Sequence, residues 1–113
     1  MSFLTSLFGI NSQKNEAITV LNAADFKTAI TNKKVQLVDV RTPNEFKTGH
    51  IKGAKNIDSF SSNFKTELEK LDKSKAVYVY CRSGARSRQS AKKLATLGFT
   101  EIYDLKNGIL GYN

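Results

Sequence analysis

Cysteine is almost absent from this chain of 113 residues, since Cys81 is the only one. A single cysteine excludes an intrachain disulfide, so we expect a protein that works in a reducing compartment such as the cytoplasm. One cysteine and one histidine also supply too few ligands for a zinc site made of protein side chains alone. The sequence therefore predicts neither a metal centre nor a cofactor.

Long apolar runs are also missing. The most apolar stretch, residues 1–10, is far too short to span a bilayer and has no Lys or Arg before its apolar side chains. It makes a poor signal peptide, and we expect it to pack on the domain or to fray; contact with a membrane surface or with another chain are the alternatives. Residues 11–16 are polar and typical of a linker. We predict an apolar segment and linker over residues 1–16 and one domain over residues 17–113.

Acidic side chains are scarce. The chain has 10 of them against 18 lysines and arginines, which gives a formal net charge of +8. This charge indicates an anionic partner (a small anion, nucleic acid or an acidic protein), although scattered lysines that aid solubility explain it equally well. The arginines are not scattered, because Arg82, Arg86 and Arg88 lie close together. No array of aromatic and basic residues accompanies them, so we expect no nucleic-acid partner.

Strand-like and helix-like segments alternate along the chain. The strand candidates, rich in aliphatic, β-branched and aromatic residues, are 17–21, 35–40, 54–57, 76–80 and 101–105. The helix candidates, marked by caps or helical spacing, are 23–31 after Asn22, a short helix capped by Thr42 with Pro43 and Glu45, one capped by Ser61 or Ser62, and 87–97. Residues 107–112 form a terminal turn or short helix. The alternation predicts an α/β fold with a mostly parallel sheet.

Cys81 follows directly after the strand candidate at residues 76–80, and ligands bind at the carboxyl ends of such strands. A helix N-terminus comes next, and Arg82 and Arg86 add positive charge. Each of these features stabilises a thiolate over a thiol, and Gly84 allows the loop to direct several backbone N–H groups at an anion. A lone cysteine is more often a buried inert thiol. The combination with the loop and arginines favours a reactive sulfur instead.

Two segments resemble hallmarks of the rhodanese family. Residues 39–57 (DVRTPNEFKTGHIKGAKNI) are similar to the first hallmark, and residues 79–87 (VYCRSGARS) to the active-site loop. The family's closing segment is resembled by residues 98–99, 103–105 and 108–109. Together the matches cover roughly residues 17–112, in the family's order.

The resemblance implies a three-layer fold with a five-stranded, mainly parallel sheet flanked by helices. It implies that Cys81 attacks the outer sulfur of thiosulfate or a similar anionic donor and holds it as a persulfide. Cyanide or a thiol, such as that of a thioredoxin-like protein, then accepts the sulfur. A second interpretation is a non-enzymatic sulfur carrier or protein-interaction module. The substrate-binding residues implied by the loop are Arg82, Ser83, Gly84, Ala85, Arg86 and Ser87.

The length of the loop separates this chain from the related cell-division-cycle phosphatases. The resemblance implies five residues between the cysteine and the arginine in the phosphatase loop. Here four residues separate Cys81 from Arg86, and the next residue is Ser87. A shorter loop favours sulfur over the larger phosphoryl group. For Ser87, a role as the helix cap is as good an interpretation as a chemical one.

Four polar residues of the first hallmark, Asp39, Arg41, Glu45 and His50, are supporting candidates. We favour a structural role for them, in which hydrogen bonds and ion pairs tie the strand end to the short helix, with Arg41 close to the site. His50 is a candidate general base, but we do not assign it this role because a thiolate needs no base to attack. The family often carries a tryptophan near its end, where this chain has Tyr112. The resemblance therefore does not predict how the C-terminus packs or what forms one wall of the pocket.

Overall fold

The computed structural model describes residues 15–112, so the predicted apolar segment at residues 1–10 lies outside the described residues. The chain forms five strands, which are β1 Ile18–Leu21, β2 Gln36–Asp39, β3 Lys55–Asn56, β4 Val77–Tyr80 and β5 Ile102–Leu105. The helices are α1 Ala23–Thr31, α2 Pro43–Lys47, α3 Phe64–Leu68 and α4 Ala85–Thr96, followed by a short 3-10 helix, Ile109–Gly111. Within the described part of the chain, no helix has the length and apolar character to cross a membrane.

The five strands form one sheet in the order β1-β5-β4-β2-β3, and every neighbouring pair is parallel. The predicted α/β architecture is confirmed. Strand β4 lies at the centre, between β2 and β5, and all four of its residues are buried. A strand that is covered on both faces has to be apolar on both, which is why its sequence is Val-Tyr-Val-Tyr.

Successive side chains of β4 point into two different cores, as the two-residue repeat of a strand requires. Val77 and Val79 pack with Leu94 of α4 in one cluster. Tyr78 and Tyr80 pack with residues such as Phe26 of α1 in the other. The molecule thus has three layers with the sheet in the middle, and the carboxyl end of β4 opens onto the edge where the site lies.

The start of α3 differs from the sequence prediction, whereas the start of α2 agrees with it. For α3, Ser61 or Ser62 was the predicted cap, but the helix begins at Phe64 after Asn63, and no side chain caps it. Ser61 instead accepts a hydrogen bond from the backbone N–H of Asn63 at 3.1 Å, so it closes the turn before the helix. The cap predicted for α2 is confirmed, because Thr42 and Glu45 form a reciprocal capping box.

Candidate active site at Cys81

Cys81 lies directly after β4, at the carboxyl edge of the sheet, and only 1% of the residue is exposed to solvent. Gly84 takes a φ of +114°, a conformation that side chains with a Cβ rarely adopt. This turn starts α4 at Ala85, two residues earlier than predicted. Ser87 is consequently inside the helix, so that of its two interpretations the one as helix cap is wrong.

The sulfur of Cys81 is held by groups of its own loop. The backbone N–H of Gly84 donates a hydrogen bond to Sγ at 3.0 Å. The hydroxyl of Ser87 lies 3.5 Å from Sγ and donates to the carbonyl of Gly84 at 3.2 Å. Since a backbone N–H at the start of a helix carries partial positive charge, this geometry stabilises negative charge on the sulfur.

Arg86 does not stand free beside the sulfur. Its guanidinium forms a two-pronged ion pair with the carboxylate of Glu45 on α2, with N–O distances of 2.7 and 3.0 Å. The hydrogen bond from Arg86, aided by the backbone of Thr42, lowers the pKa of Glu45 to about 2. The same contact raises the pKa of Arg86 above its ordinary value. The pair joins α4 to α2 and removes part of the positive charge that the sequence placed at the loop.

Arg82 is exposed, and within residues 15–112 its side chain makes no ion pair. Its guanidinium is therefore available to an anion that enters from solvent. Ser83 and Ala85 are also exposed, so the loop from Cys81 to Arg86 is enclosed at its sulfur and open at its rim.

Asp39 and Arg41, at the start of the first hallmark, form a buried ion pair with an N–O distance of 2.7 Å. Arg41 also donates to the carbonyl of Gly49 at 2.7 Å, which ties the end of β2 to the turn after α2. Asn56, which the sequence analysis did not single out, donates to the backbone carbonyls of Asp39 and Arg41 at 3.0 and 2.8 Å. These hydrogen bonds tie the end of β2 to the turn after α2 and to β3. None of these residues is a hydrogen-bond partner of Cys81.

His50 is exposed and is likewise not a partner of Cys81. Its ring stacks on Phe46, with ring centres 3.7 Å apart, and its Nδ1 lies 2.9 Å from the carbonyl oxygen of Phe46. The structure thus places His50 against α2.

The C-terminal segment holds the loop from the other side. The backbone N–H of Ile109 donates to the carbonyl of Cys81 at 2.9 Å, and that of Leu110 to the carbonyl of Arg82 at 3.2 Å. Gly108 has a φ of +65°, and a Cβ there would lie 2.3 Å from the carbonyl oxygen of Arg82. Tyr112 turns to α1, where its ring meets that of Phe26 edge-on at 6.4 Å. The segment therefore fixes the loop backbone through main-chain contacts that composition does not reveal.

Asp104 is a buried carboxyl that the sequence analysis did not single out. It lies on β5, is 2% exposed, and its Oδ1 has no hydrogen-bond partner within the described residues. Burial raises its pKa to about 6, while Ser87 and Arg88 act in the opposite direction. No sequence signal marks it, because its burial follows from the placement of β5 between β1 and β4.

The class of the protein follows from this arrangement: a parallel α/β sheet that carries an enclosed cysteine and an exposed arginine at its carboxyl edge, where a helix begins. Residues 22–113 match the sequence profile of the Rhodanese-like domain. The chain belongs to the rhodanese-like domain family.

Three curated relatives differ in what their names state. The chain is 47% identical over 76 residues to the uncharacterized protein YqhL of Bacillus subtilis, covering 67% of this chain and 59% of the relative. It is 33% identical over 81 residues to thiosulfate sulfurtransferase GlpE of Shewanella oneidensis, covering 72% and 78%. It is 32% identical over 98 residues to tRNA uridine(34) hydroxylase of Rickettsia canadensis, covering 81% of this chain but only 39% of the relative.

A solved structure shows the same fold. The rhodanese-related protein of Thermoplasma volcanium superposes with a TM-score of 0.72 at 32% identity, covering 82% of this chain and 88% of that chain.

Proposed function

We propose that this chain is a sulfurtransferase, which moves the outer sulfur of thiosulfate or a similar donor to a cyanide or thiol acceptor through a persulfide on Cys81. The observation that carries the proposal is the 3.0 Å hydrogen bond from the N–H of Gly84 to the sulfur of Cys81. It places the sulfur at the N-terminus of the twelve-residue helix α4, where an anion is stabilised.

The reaction has two displacements. The Cys81 thiolate attacks the outer sulfur of thiosulfate, a new S–S bond forms, the old one breaks, and sulfite leaves with the electron pair. The product is a Cys81 persulfide anion. Cyanide then attacks the outer sulfur, and thiocyanate leaves while the Cys81 thiolate returns; a thiolate acceptor would leave as a persulfide in the same way. Each step conserves charge and needs no proton transfer, so no general base such as His50 takes part.

The residues of the loop have different tasks in this proposal. The N–H of Gly84 donates to the sulfur and stabilises its negative charge. The hydroxyl of Ser87 accepts from the Cys81 thiol at 3.5 Å and, once the thiolate forms, turns its proton from the carbonyl of Gly84 to the sulfur. Arg82, exposed at the rim, meets the sulfonate end of the donor. Arg86 acts chiefly through its ion pair with Glu45, which holds the first turn of α4 in place. The relative named a thiosulfate sulfurtransferase, of which the chain covers 78%, supports this assignment.

The test is direct. Purified protein is incubated with thiosulfate, and intact-mass and peptide spectra are recorded for the parent chain and for Cys81→Ser. We expect the parent to gain the mass of one sulfur on the peptide that contains Cys81, and the variant to gain nothing and to lose turnover with cyanide. The absence of any gain with thiosulfate and with other sulfane-sulfur donors contradicts the proposal.

A second candidate is a sulfur-carrying module that receives its persulfide from a partner protein and has little turnover of its own. The neutralisation of Arg86 by Glu45 favours it, because this ion pair reduces the attraction for a small dianion. Such a carrier would gain sulfur from a persulfidated donor protein and show negligible turnover with thiosulfate and cyanide. The same two assays therefore separate the candidates.

A further inference from the structure

Two exposed apolar side chains flank the loop of Cys81. Among the described residues the large hydrophobic side chains that stand open are Val20, Phe60 and Leu110, with exposures of 49%, 71% and 64%. The ring of Phe60 lies 5.5 Å from the guanidinium carbon of Arg86. Leu110 is bonded through its backbone N–H to the carbonyl of Arg82. Apolar surface at both ends of a reactive loop is typical of a contact site.

A groove of about 420 Å³ runs from this loop between the start of α3 and the outer side of α4. Its apolar part is formed by Phe60, Phe64 and Ala85. Arg86 and Lys93 stand along it, and its polar remainder is Ser59, Gln89 and Ser90. Since Ala85 is the first residue of α4, the groove begins four positions after Cys81. It has room for an apolar side chain brought in beside the site.

The surroundings of the groove are positively charged. The sequence has no acidic residue between Asp72 and Glu101, and the exposed basic residues of this stretch include Arg82, Arg88, Lys92 and Lys93, of which Lys93 lines the groove. Two acidic side chains do lie nearby. The carboxylate of Glu45 is occupied by Arg86, and that of Asp58 accepts a hydrogen bond from the N–H of Phe60 at 2.9 Å.

We propose that the groove (Phe60, Phe64 and Lys93), together with Lys92 beside it in α4 and the exposed Leu110 on the other side of the loop, the docking surface hereafter, binds a protein that presents its acceptor thiol among acidic residues and beside one apolar side chain. This inference rests on the proposed function and names the class of its acceptor. The apolar side chain fills the groove, and the acidic residues face Lys92 and Lys93. The acceptor thiolate attacks the outer sulfur of the Cys81 persulfide, the S–S bond breaks, and Cys81 leaves as the thiolate.

A protein fits these observations better than the other anionic partners. Cyanide or a small thiol needs the sulfur alone and leaves Phe60 and Leu110 uncovered. A nucleic acid would use the cations and stack on Phe60, but it gains little from Leu110 or from the apolar groove. An acidic surface with an apolar side chain satisfies the cations and the apolar groups together.

Two synthetic peptides serve as probes, each with one cysteine and one leucine, and differing only in four glutamates or four lysines. The Cys81 persulfide is loaded with thiosulfate, and the transfer of sulfur to each peptide is followed by mass spectrometry, with cyanide as the small acceptor. At low salt we expect the glutamate peptide to react at least about tenfold faster, and we expect that advantage to fade as salt is added.

Variants locate the effect. Lys92→Glu with Lys93→Glu should remove the preference for glutamate, and Phe60→Ser should slow both peptides several-fold, while turnover with cyanide stays unchanged. The matched control is Lys33→Glu with Lys34→Glu, the same charge change just before β2, at the amino ends of the strands. It should leave the preference intact.

Binding is measured separately, with labelled peptides whose cysteine is replaced by serine, so that docking is decided even if no persulfide forms. Failure to load Cys81 with any donor would end the proposed function, and the binding preference would then still support or refute the docking surface. Equal binding and equal rates for both peptides, with normal cyanide turnover, would refute the docking surface alone. Tight binding of bulk tRNA that is lost in the Lys92/Lys93 variant, without a peptide preference, would also refute it and assign the face to nucleic acid.

Discussion

Asp104 should make the protein less stable at neutral pH than at mildly acidic pH. Its carboxyl lies on β5 inside the sheet, 2% exposed, with one oxygen unpaired within the described residues. Burial raises its pKa from 3.8 to about 6. Below about pH 4 the carboxyl is protonated in both the folded and the unfolded states and has no effect. Between about pH 4 and pH 6 the unfolded chain is ionised while the folded protein keeps the proton, so the free energy of unfolding falls as the pH rises; above 6 both states are ionised and the loss is complete.

The size of this effect follows from the two pKa values. A rise from 3.8 to about 6 corresponds to roughly 3 kcal/mol of lost stability above pH 7, at about 1.4 kcal/mol for each pKa unit. Replacement of Asp104 by asparagine removes the ionisation but leaves a buried N–H group short of a partner, which costs about 1 kcal/mol. We therefore expect Asp104→Asn to be about 1–2 kcal/mol more stable near pH 8 and about 1 kcal/mol less stable near pH 4.

Urea unfolding from about pH 4 to pH 8 measures this difference. The matched control is Asp25→Asn, which removes a carboxylate that is exposed on α1, and its curve should run parallel to that of the parent. The change of sign between acid and neutral pH is the diagnostic result. Parallel curves for Asp104→Asn and the parent, or a loss of stability near pH 8, would show that the reasoning about Asp104 is wrong.

Three further changes test contacts around the loop. Gly108→Ala should cost at least about 2 kcal/mol of stability, measured by thermal unfolding, because its Cβ would meet the carbonyl of Arg82. The control for backbone strain alone is Gly53→Ala, at a φ of +90° with no neighbour within 4 Å. Equal losses in the two variants would contradict the clash. Glu45→Gln should lose about 1 kcal/mol at neutral pH, a deficit that disappears as the pH falls from 4.5 to about 2, and a constant deficit would refute the ion pair. Ser87→Ala should slow persulfide formation several-fold and also cost about 1 kcal/mol of stability through the lost bond to the carbonyl of Gly84, and an unchanged rate would remove Ser87 from the site.

The strands were predictable because each is a run of consecutive aliphatic, β-branched or aromatic residues. Val77–Tyr80 is apolar on both faces, which only a central strand of a covered parallel sheet requires. The capping box of Thr42 and Glu45 is equally local, since both partners lie within one helical turn. The order of the strands in the sheet, by contrast, was not predicted, because it depends on pairing between segments that are far apart in the chain.

The contacts that shape the site were not predictable, because they join distant parts of the chain. Glu45 and Arg86 are far apart in sequence, and nothing in either segment shows that the carboxylate would occupy the arginine. The early start of α4 depends on the backbone conformation of Gly84, which composition allows but does not require. The hydrogen bond of Ile109 to Cys81 is made by backbone atoms alone and leaves no side-chain signature.

The central step of the proposed reaction is the transfer of the donor's outer sulfur to Cys81. Thiosulfate labelled with a heavy isotope only in its outer sulfur tests this directly, with mass spectra of the protein, the released sulfite and the thiocyanate formed after cyanide is added. We predict the label first on the peptide containing Cys81 and then in thiocyanate, with unlabelled sulfite released. Thiocyanate that carries the label although no labelled Cys81 peptide is ever found, or equal turnover by Cys81→Ser, would contradict the persulfide mechanism.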